Sequence, residues 1–225
     1  MTNLKPMHTR EQLSILSTLE RSALIWMARR LPRWVNSDHL TLLGFAAMIG
    51  AGIAYGAASR HPRLLLLVSP ALVINWLGDS LDGTLARVRD QQRPKYGYYV
   101  DHVLDMFGTF CLLGGLALSG YMNPLLALGM LAAFMTAAAE EFLATHVRRV
   151  FHLSFLGFGP TELRIILAAG TLCLLYRPWV QLGSLGVFRL FDVGGAVAIA
   201  GLGLKTAVSA ARNTRALYMA ERLPQ

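Results

Sequence analysis

Residues 64–105 read LLLLVSPALVINWLGDSLDGTLARVRDQQRPKYGYYVDHVLD. From Leu64 to Gly78 no residue is charged, and then Asp79 and Asp82 appear, three positions apart. A short basic stretch follows (Arg87, Arg89, Arg93 and Lys95), and a second apolar run opens with Asp101 and Asp105, four positions apart. A helix brings residues three and four apart onto one face, so each run carries its pair of acids on a single stripe. Two apolar helices with acidic stripes at their facing ends is the pattern from which the rest of the chain is read.

Outward from this stretch the apolar runs continue. Six are present: Leu40–Ser59, Leu64–Ala86, Tyr98–Tyr121, Pro124–Thr145, Thr161–Val180 and Gly186–Thr206. About 20 residues of helix cross a hydrocarbon core, and these lengths fit. The last two runs carry Arg164, Arg177, Arg189 and Lys205 at their ends, where long side chains snorkel toward the interface. The ten-residue alternation of a membrane barrel is absent. The expected fold is therefore all-α: a polytopic membrane helical bundle of about six transmembrane helices. Thr9–Trp34 precedes it, mixing Leu13, Leu16, Leu19, Leu24, Ile25 and Met27 with five arginines. That segment is too charged to span. It reads as an amphipathic interfacial helix, or as a solvent-facing helix packed on the bundle. The chain thus divides into an N-terminal segment, 1–36, and a membrane domain, 37–225.

Composition agrees. In 225 residues, 54% are hydrophobic and only 15% charged, against about a quarter charged in soluble domains. This argues against a soluble enzyme and against a disordered chain. The net charge of +8 does not point to nucleic acid, because the bases flank apolar runs. Six spans with an inner N-terminus leave only Arg60, Arg63, Arg177 and Arg189 of the 21 Lys and Arg outside. Both termini, and the acidic helix ends, are then predicted on the cytoplasmic side. Cys111 and Cys173 both lie in apolar runs, which disfavours a disulfide framework and thiolate metal sites.

Carboxylates near a membrane are costly, on the order of 2.5–3.5 kcal/mol each on insertion scales. No Lys or Arg lies within residues 40–59, 64–86 or 96–147 to offset four of them; Arg87 and its loop neighbours are the nearest bases in sequence. Two divalent cations would supply the missing charge. Oxygen-only ligands suit Mg²⁺ or Mn²⁺ rather than zinc. Gly83, Ala86, Gly97 and Gly108 flank the acids and let a ligand approach the backbone. The competing reading is that each acid is an ordinary interfacial residue at a helix end.

The stretch from Asp79 through Asp82, Gly83, Ala86 and Arg87, then Gly97, Asp101 and Asp105, resembles the CDP-alcohol phosphotransferase signature, D-x-x-D-G-x-x-A-R followed by G-x-x-x-D-x-x-x-D. All eight defining residue types are present, with a spacer of nine residues, Val88–Tyr96, one more than the commonest form. The resemblance implies an integral membrane enzyme of phospholipid synthesis. Such an enzyme cleaves a CDP-linked donor, transfers a phospho-alcohol or phosphatidyl group to an alcohol acceptor, and releases CMP. It also implies that Asp79, Asp82, Asp101 and Asp105 form a two-metal site for Mg²⁺ or Mn²⁺ and that Asp105 is the general base. Gly83, Ala86, Arg87 and Gly97 would surround the CDP. Membrane lipid and a second copy of the chain, as a homodimer, are the expected partners.

Asp101-His102 and the later Gly159-Pro160-Thr161-Glu162 are similar to the choline/ethanolamine phosphotransferase branch. That likeness makes His102 and Glu162 candidate acid–base residues and favours a small CDP-alcohol donor with a diacylglycerol acceptor. The alternatives are CDP-diacylglycerol with a small polar alcohol, or a structural role in which His102 bonds a backbone carbonyl and Glu162 is a helix-start acid. Ser37–Gly44 resembles the segment that opens the family's first span, where Ser37 or Asp38 is expected to cap the helix. Glu140 and Glu141 suit either an acceptor pocket or bonds to an adjacent helix. Gly50, Gly52 and Gly56, and the glycines from Gly194 to Gly203, suggest close helix packing. From another class, a divalent-cation transporter is disfavoured because Phe110–Leu118 offers no polar pathway. A degenerate family member with a structural role would be expected to have lost a signature residue.

Overall fold

A computed structural model of the chain describes residues 15–148 and 160–221. Seven helices are present there: α1 (Ile15–Arg30), α2 (Ser37–Ala58), α3 (Leu65–Val88), α4 (Pro94–Leu118), α5 (Pro124–Arg148), α6 (Pro160–Leu174) and α7 (Leu190–Ala220). A helical membrane bundle is thus what the chain forms. Among the described residues α2, α3, α4, α5 and α7 are long and apolar enough to cross a bilayer. Prolines open α4, α5 and α6, where a missing N–H costs nothing and the fixed φ is already helical.

The fifth apolar run differs from expectation. Its helix, α6, spans 15 residues, about 22 Å of rise, less than the roughly 30 Å core. It stops before Arg177 and Pro178, and the chain then forms a hairpin of β1 (Trp179–Gln181) and β2 (Val187–Arg189). Trp179 pairs with Arg189 and Gln181 with Val187. Gly183 at φ 51° and Gly186 at φ 109° supply the left-handed positions of the turn. The hairpin consumes the start of the sixth run, so α7 begins at Leu190 and continues for 31 residues, well past Thr206.

The central helix is α2, which packs most extensively on α3 and next on α4. Glycine makes both contacts close. A Cβ on Gly78 would sit 2.6 Å from the Leu40 carbonyl oxygen and 2.9 Å from the Gly44 nitrogen. A Cβ on Gly52 would overlap the Cys111 carbonyl, and one on Gly115 would overlap the Gly52 carbonyl. Gly50, Gly194, Gly201 and Gly203 have nothing within 4 Å of that position, so close packing is confined to particular members of the glycine runs. Around these contacts Met48, Ala51, Tyr55, Leu65, Val68, Leu112, Leu113 and Leu116 form the main core.

The segment expected at Thr9–Trp34 contains α1; residues 9–14 of it lie outside the described residues. Leu24 and Ala28 pack with Val35, Leu40, Leu81 and Leu85 in a second cluster, so α1 rests on the end of α3. The α1–α2 link is held by Arg89, whose guanidinium donates to the carbonyls of Leu31 (3.0 Å), Pro32 (2.9 Å) and Val35. Arg89→Ala is expected to cost roughly 2 kcal/mol, read as a lower thermal midpoint in detergent. Arg89→Lys should recover only part of this, because an ammonium cannot reproduce the planar fork.

Candidate active site

The glycine contacts set the site. Gly44 and Gly78 draw α3 against α2 at the turn that carries Asp79. On α4, Gly108 packs against Met48 of α2 one turn beyond Asp105, where a Cβ would be 3.1 Å from the Met48 Cβ. The acidic stripes of α3 and α4 therefore converge beside α2. The α3–α4 connection is compact: Gln91 N–H bonds the Ala86 carbonyl at 2.9 Å and Asp90 N–H that of Arg87 at 3.3 Å. Asp90 sits in the left-handed region at φ 54°. This double closure with a left-handed residue is a Schellman-type stop, and it turns the chain back so that α4 can present Asp101 to α3.

One carboxylate oxygen from each of Asp79, Asp101 and Asp105 lies within 4.8 Å of the other two. All three line a small recess with Thr41, Gly44, Phe45, Met48, Asn75 and Leu104. Asp82 stands beside this trio and is held differently. Its Oδ2 accepts from Thr41 Oγ1 at 2.6 Å, its Oδ1 accepts from the Gly83 N–H, and its backbone carbonyl accepts from Ser37 Oγ at 2.8 Å. An ionised carboxylate has about four lone-pair sites, so both oxygens of Asp82 keep capacity for a further partner.

The cap expected from Ser37 or Asp38 is made by Asn36 instead. Its side chain accepts from the His39 N–H at 3.0 Å and His39 Nδ1 accepts from the Asn36 N–H at 3.2 Å, a reciprocal box. That frees Ser37 to reach Asp82, and Asp38 to accept two bonds from Arg93, at 2.6 and 2.7 Å, at the start of α4.

The four acids also have a basic partner that chain position does not suggest. Arg164 Nη2 of α6 lies 2.8 Å from Asp79 Oδ2, so loop arginines are not the nearest source of positive charge. One guanidinium against four carboxylates still leaves negative charge to be balanced. An all-oxygen, partly shielded trio with this surplus fits a hard divalent cation.

The remaining sequence-predicted residues are distributed as follows. Arg87 is exposed on the last turn of α3 and donates to Thr84 Oγ1 at 3.0 Å. A Cβ on Gly83 would meet Arg87 Nη1 at 3.4 Å. Ala86 is half-buried and Gly97 is exposed at the start of α4 with open space around it. His102 stacks on Tyr98 with centroids 4.1 Å apart and meets the edge of Phe142. Its Nδ1 donates to the Tyr98 carbonyl at 2.8 Å and lies 3.6 Å from Asp101 Oδ2. With Nδ1 donating, Nε2 is the ring's basic nitrogen. Gly159 lies outside the described residues, as does the side chain of Glu162, whose backbone is in the first turn of α6. Glu140 and Glu141 reach α7: Asn213 Nδ2 donates to Glu140 at 2.7 Å, and Lys205 Nζ is 3.5 Å from Glu141.

Two residues at the site escaped the sequence reading, Arg164 as a partner of Asp79 and Asn75; Thr41 lies in the Ser37–Gly44 segment noted there, without its bond to Asp82. Asn75 was detectable in principle, being an amide four before Asp79 among the apolar residues from Ala71 to Gly78.

A family profile described as CDP-alcohol phosphatidyltransferase matches residues 34–201. No curated protein matches the chain. Among solved structures, phosphatidylinositol phosphate synthase of Mycobacterium tuberculosis, determined with CDP-DAG bound, is similar with a TM-score of 0.63 at 16% identity. The match covers 91% of this chain and 100% of that one.

Proposed function

The chain belongs to the CDP-alcohol phosphatidyltransferase family, and from that premise we propose that it transfers a phospho-alcohol or phosphatidyl group from a CDP-linked donor to an alcohol, with release of CMP. Membership makes it a membrane transferase of phospholipid synthesis that uses a CDP-linked donor. The observation that carries the proposal is the approach of Asp79, Asp101 and Asp105 oxygens to within 4.8 Å at the facing ends of two apolar helices.

In this reading Asp79, Asp82, Asp101 and Asp105 hold two divalent cations, Mg²⁺ or Mn²⁺. When bound, these neutralise charge on the pyrophosphate and on departing CMP. The protein's own groups do the rest. Asp105 takes the proton of the acceptor hydroxyl; the hydroxyl oxygen bonds to phosphorus as the bond from phosphorus to the CMP oxygen breaks. Gly83, Ala86 and Gly97 leave room for the nucleotide, and Arg87 faces its phosphates. Thr41 fixes the carboxylate of Asp82, as an outer hydrogen bond orients a ligand. A site at helix ends meets a soluble nucleotide from water and a lipid from the bilayer. Lys and Arg placement supports a cytoplasmic site; both termini share that side only if α6, together with the hairpin that follows it, carries the chain across the bilayer before α7, and a homodimer belongs to the same reading.

Two donors are in contention. The Asp101-His102 and Pro160-Thr161-Glu162 likeness supports a small CDP-alcohol with diacylglycerol as acceptor, with His102 and Glu162 assisting proton removal. The ligand of the mycobacterial synthase favours CDP-diacylglycerol with a small polar alcohol. CMP release by purified protein decides between them. CDP-diacylglycerol, CDP-choline and CDP-ethanolamine are each offered with diacylglycerol or small alcohols and Mg²⁺ or Mn²⁺. One donor class should support turnover; silence with all of them would overturn the proposal. If His102 assists, His102→Ala is expected to slow turnover about a hundredfold and to shift the pH profile. Wild-type rates would leave His102 a structural role through its bond to the Tyr98 carbonyl and its ring contacts with Tyr98 and Phe142.

A further inference from the structure

Asn75 lies one turn before Asp79 on α3 and is 3% exposed. Its Nδ2 donates to the Gly44 carbonyl of α2 at 3.2 Å. Because a carbonyl only accepts, this bond fixes which end of the amide is nitrogen. The other end, Oδ1, is fully enclosed and has no hydrogen-bond partner among the described residues. A buried acceptor left unsatisfied carries a desolvation cost, and such groups are rare enough in folded proteins to call for an explanation.

Its surroundings define what would satisfy it. Asn75 lines the same recess as Asp79, Asp101 and Asp105, with a cavity volume of about 10 Å³, room for about one water-sized group. Every polar side-chain atom from the acids, when ionised, is also an acceptor. A phosphoryl group, which presents acceptor oxygens, is of the wrong polarity. A single O–H group is small enough and donates.

We propose that Asn75 Oδ1 accepts a hydrogen bond from one O–H group held at the floor of the Asp79–Asp101–Asp105 cluster. That group is either a water on a divalent cation bound there or the hydroxyl of the acceptor alcohol. Asn75 thereby reads the donor polarity of what enters and holds it against the three carboxylates. The second source, though not the first, rests on the transferase reading above.

Asn75→Leu keeps the γ-branched shape and removes the acceptor; Asn75→Ala serves the same purpose if the leucine variant fails to fold. Three readouts on purified protein separate the outcomes: Mn²⁺ affinity by electron paramagnetic resonance without nucleotide, KM and kcat for the acceptor in CMP release, and the thermal midpoint. A three- to tenfold loss of Mn²⁺ affinity assigns the O–H to cation-bound water. An unchanged Mn²⁺ affinity with a three- to tenfold higher acceptor KM assigns it to the alcohol. A change confined to the thermal midpoint, with Mn²⁺ affinity and acceptor KM of the wild type, would overturn the proposal and leave Asn75 as a clasp on Gly44. If wild-type protein releases no CMP from any donor, the transferase reading fails while the Mn²⁺ titration still decides for or against Asn75.

Discussion

Asp105→Asn is expected to lower CMP release by about three orders of magnitude while the protein remains folded. The substitution is nearly isosteric, so the packing of α4 on α2, including the contact of Gly108 with Met48, is preserved. What changes is chemistry. The carboxylate oxygen that lies within 4.8 Å of those from Asp79 and Asp101 loses its charge, and the amide cannot take a proton from the acceptor. Loss of a positioned base accounts for about 10²–10⁴ in rate. Weaker cation binding adds to this, whereas the thermal midpoint should hold or rise because one of several neighbouring like charges is gone. Activity within tenfold of wild type would remove Asp105 as the base.

Gly52→Val is expected to prevent assembly of the bundle. A Cβ at this position would overlap the Cys111 carbonyl and lie 3.2 Å from the Leu112 nitrogen, both on α4. Both obstacles are backbone, so neither can rotate away as a flexible side chain would. Overpacking in cores typically costs about 1–3 kcal/mol. Here α2 and α4 must separate along the seam that holds Met48 and Gly108, and a cost above roughly 4 kcal/mol follows. The matched control is Gly50→Ala, where no atom lies within 4 Å of the new Cβ. It should be neutral or stabilising by up to about 1 kcal/mol, from the better helix propensity of alanine. Yield of monodisperse protein after extraction and the thermal midpoint compare the two. Equal behaviour of both variants would contradict the close α2–α4 seam.

These two residues also mark what the sequence made legible. The acidic pairs were readable because helical periodicity acts over three or four residues, and the spans because apolar length is a local property. Which glycine carries a helix contact is not local: Gly50 and Gly52 look alike in sequence, and only the path of α4 separates them. The Arg164–Asp79 pair joins residues 85 apart. Spacing gives no hint of it until α6 is known to pack on α3. Ser37 and Asp38 were reasonable caps by residue type, yet Asn36 wins because His39 can reciprocate, which releases Ser37 toward Asp82. The end of α6 at Leu174 was hidden by apolar residues that continue past it to Tyr176. Only Arg177-Pro178 and the two left-handed glycines of the hairpin announce that the chain leaves the helix.

The claim on which the functional account rests is that the acids of α3 and α4 take divalent cations as their counter-charge, beyond what Arg164 supplies. Titration of the purified, metal-stripped protein with Mn²⁺ in the presence of cytidine diphosphate, followed by electron paramagnetic resonance, tests it directly. The account predicts saturable uptake of two ions per chain, abolished when Asp79, Asp101 and Asp105 are together replaced by asparagine. No saturable uptake by the wild type, or equal uptake by the triple variant, would contradict it.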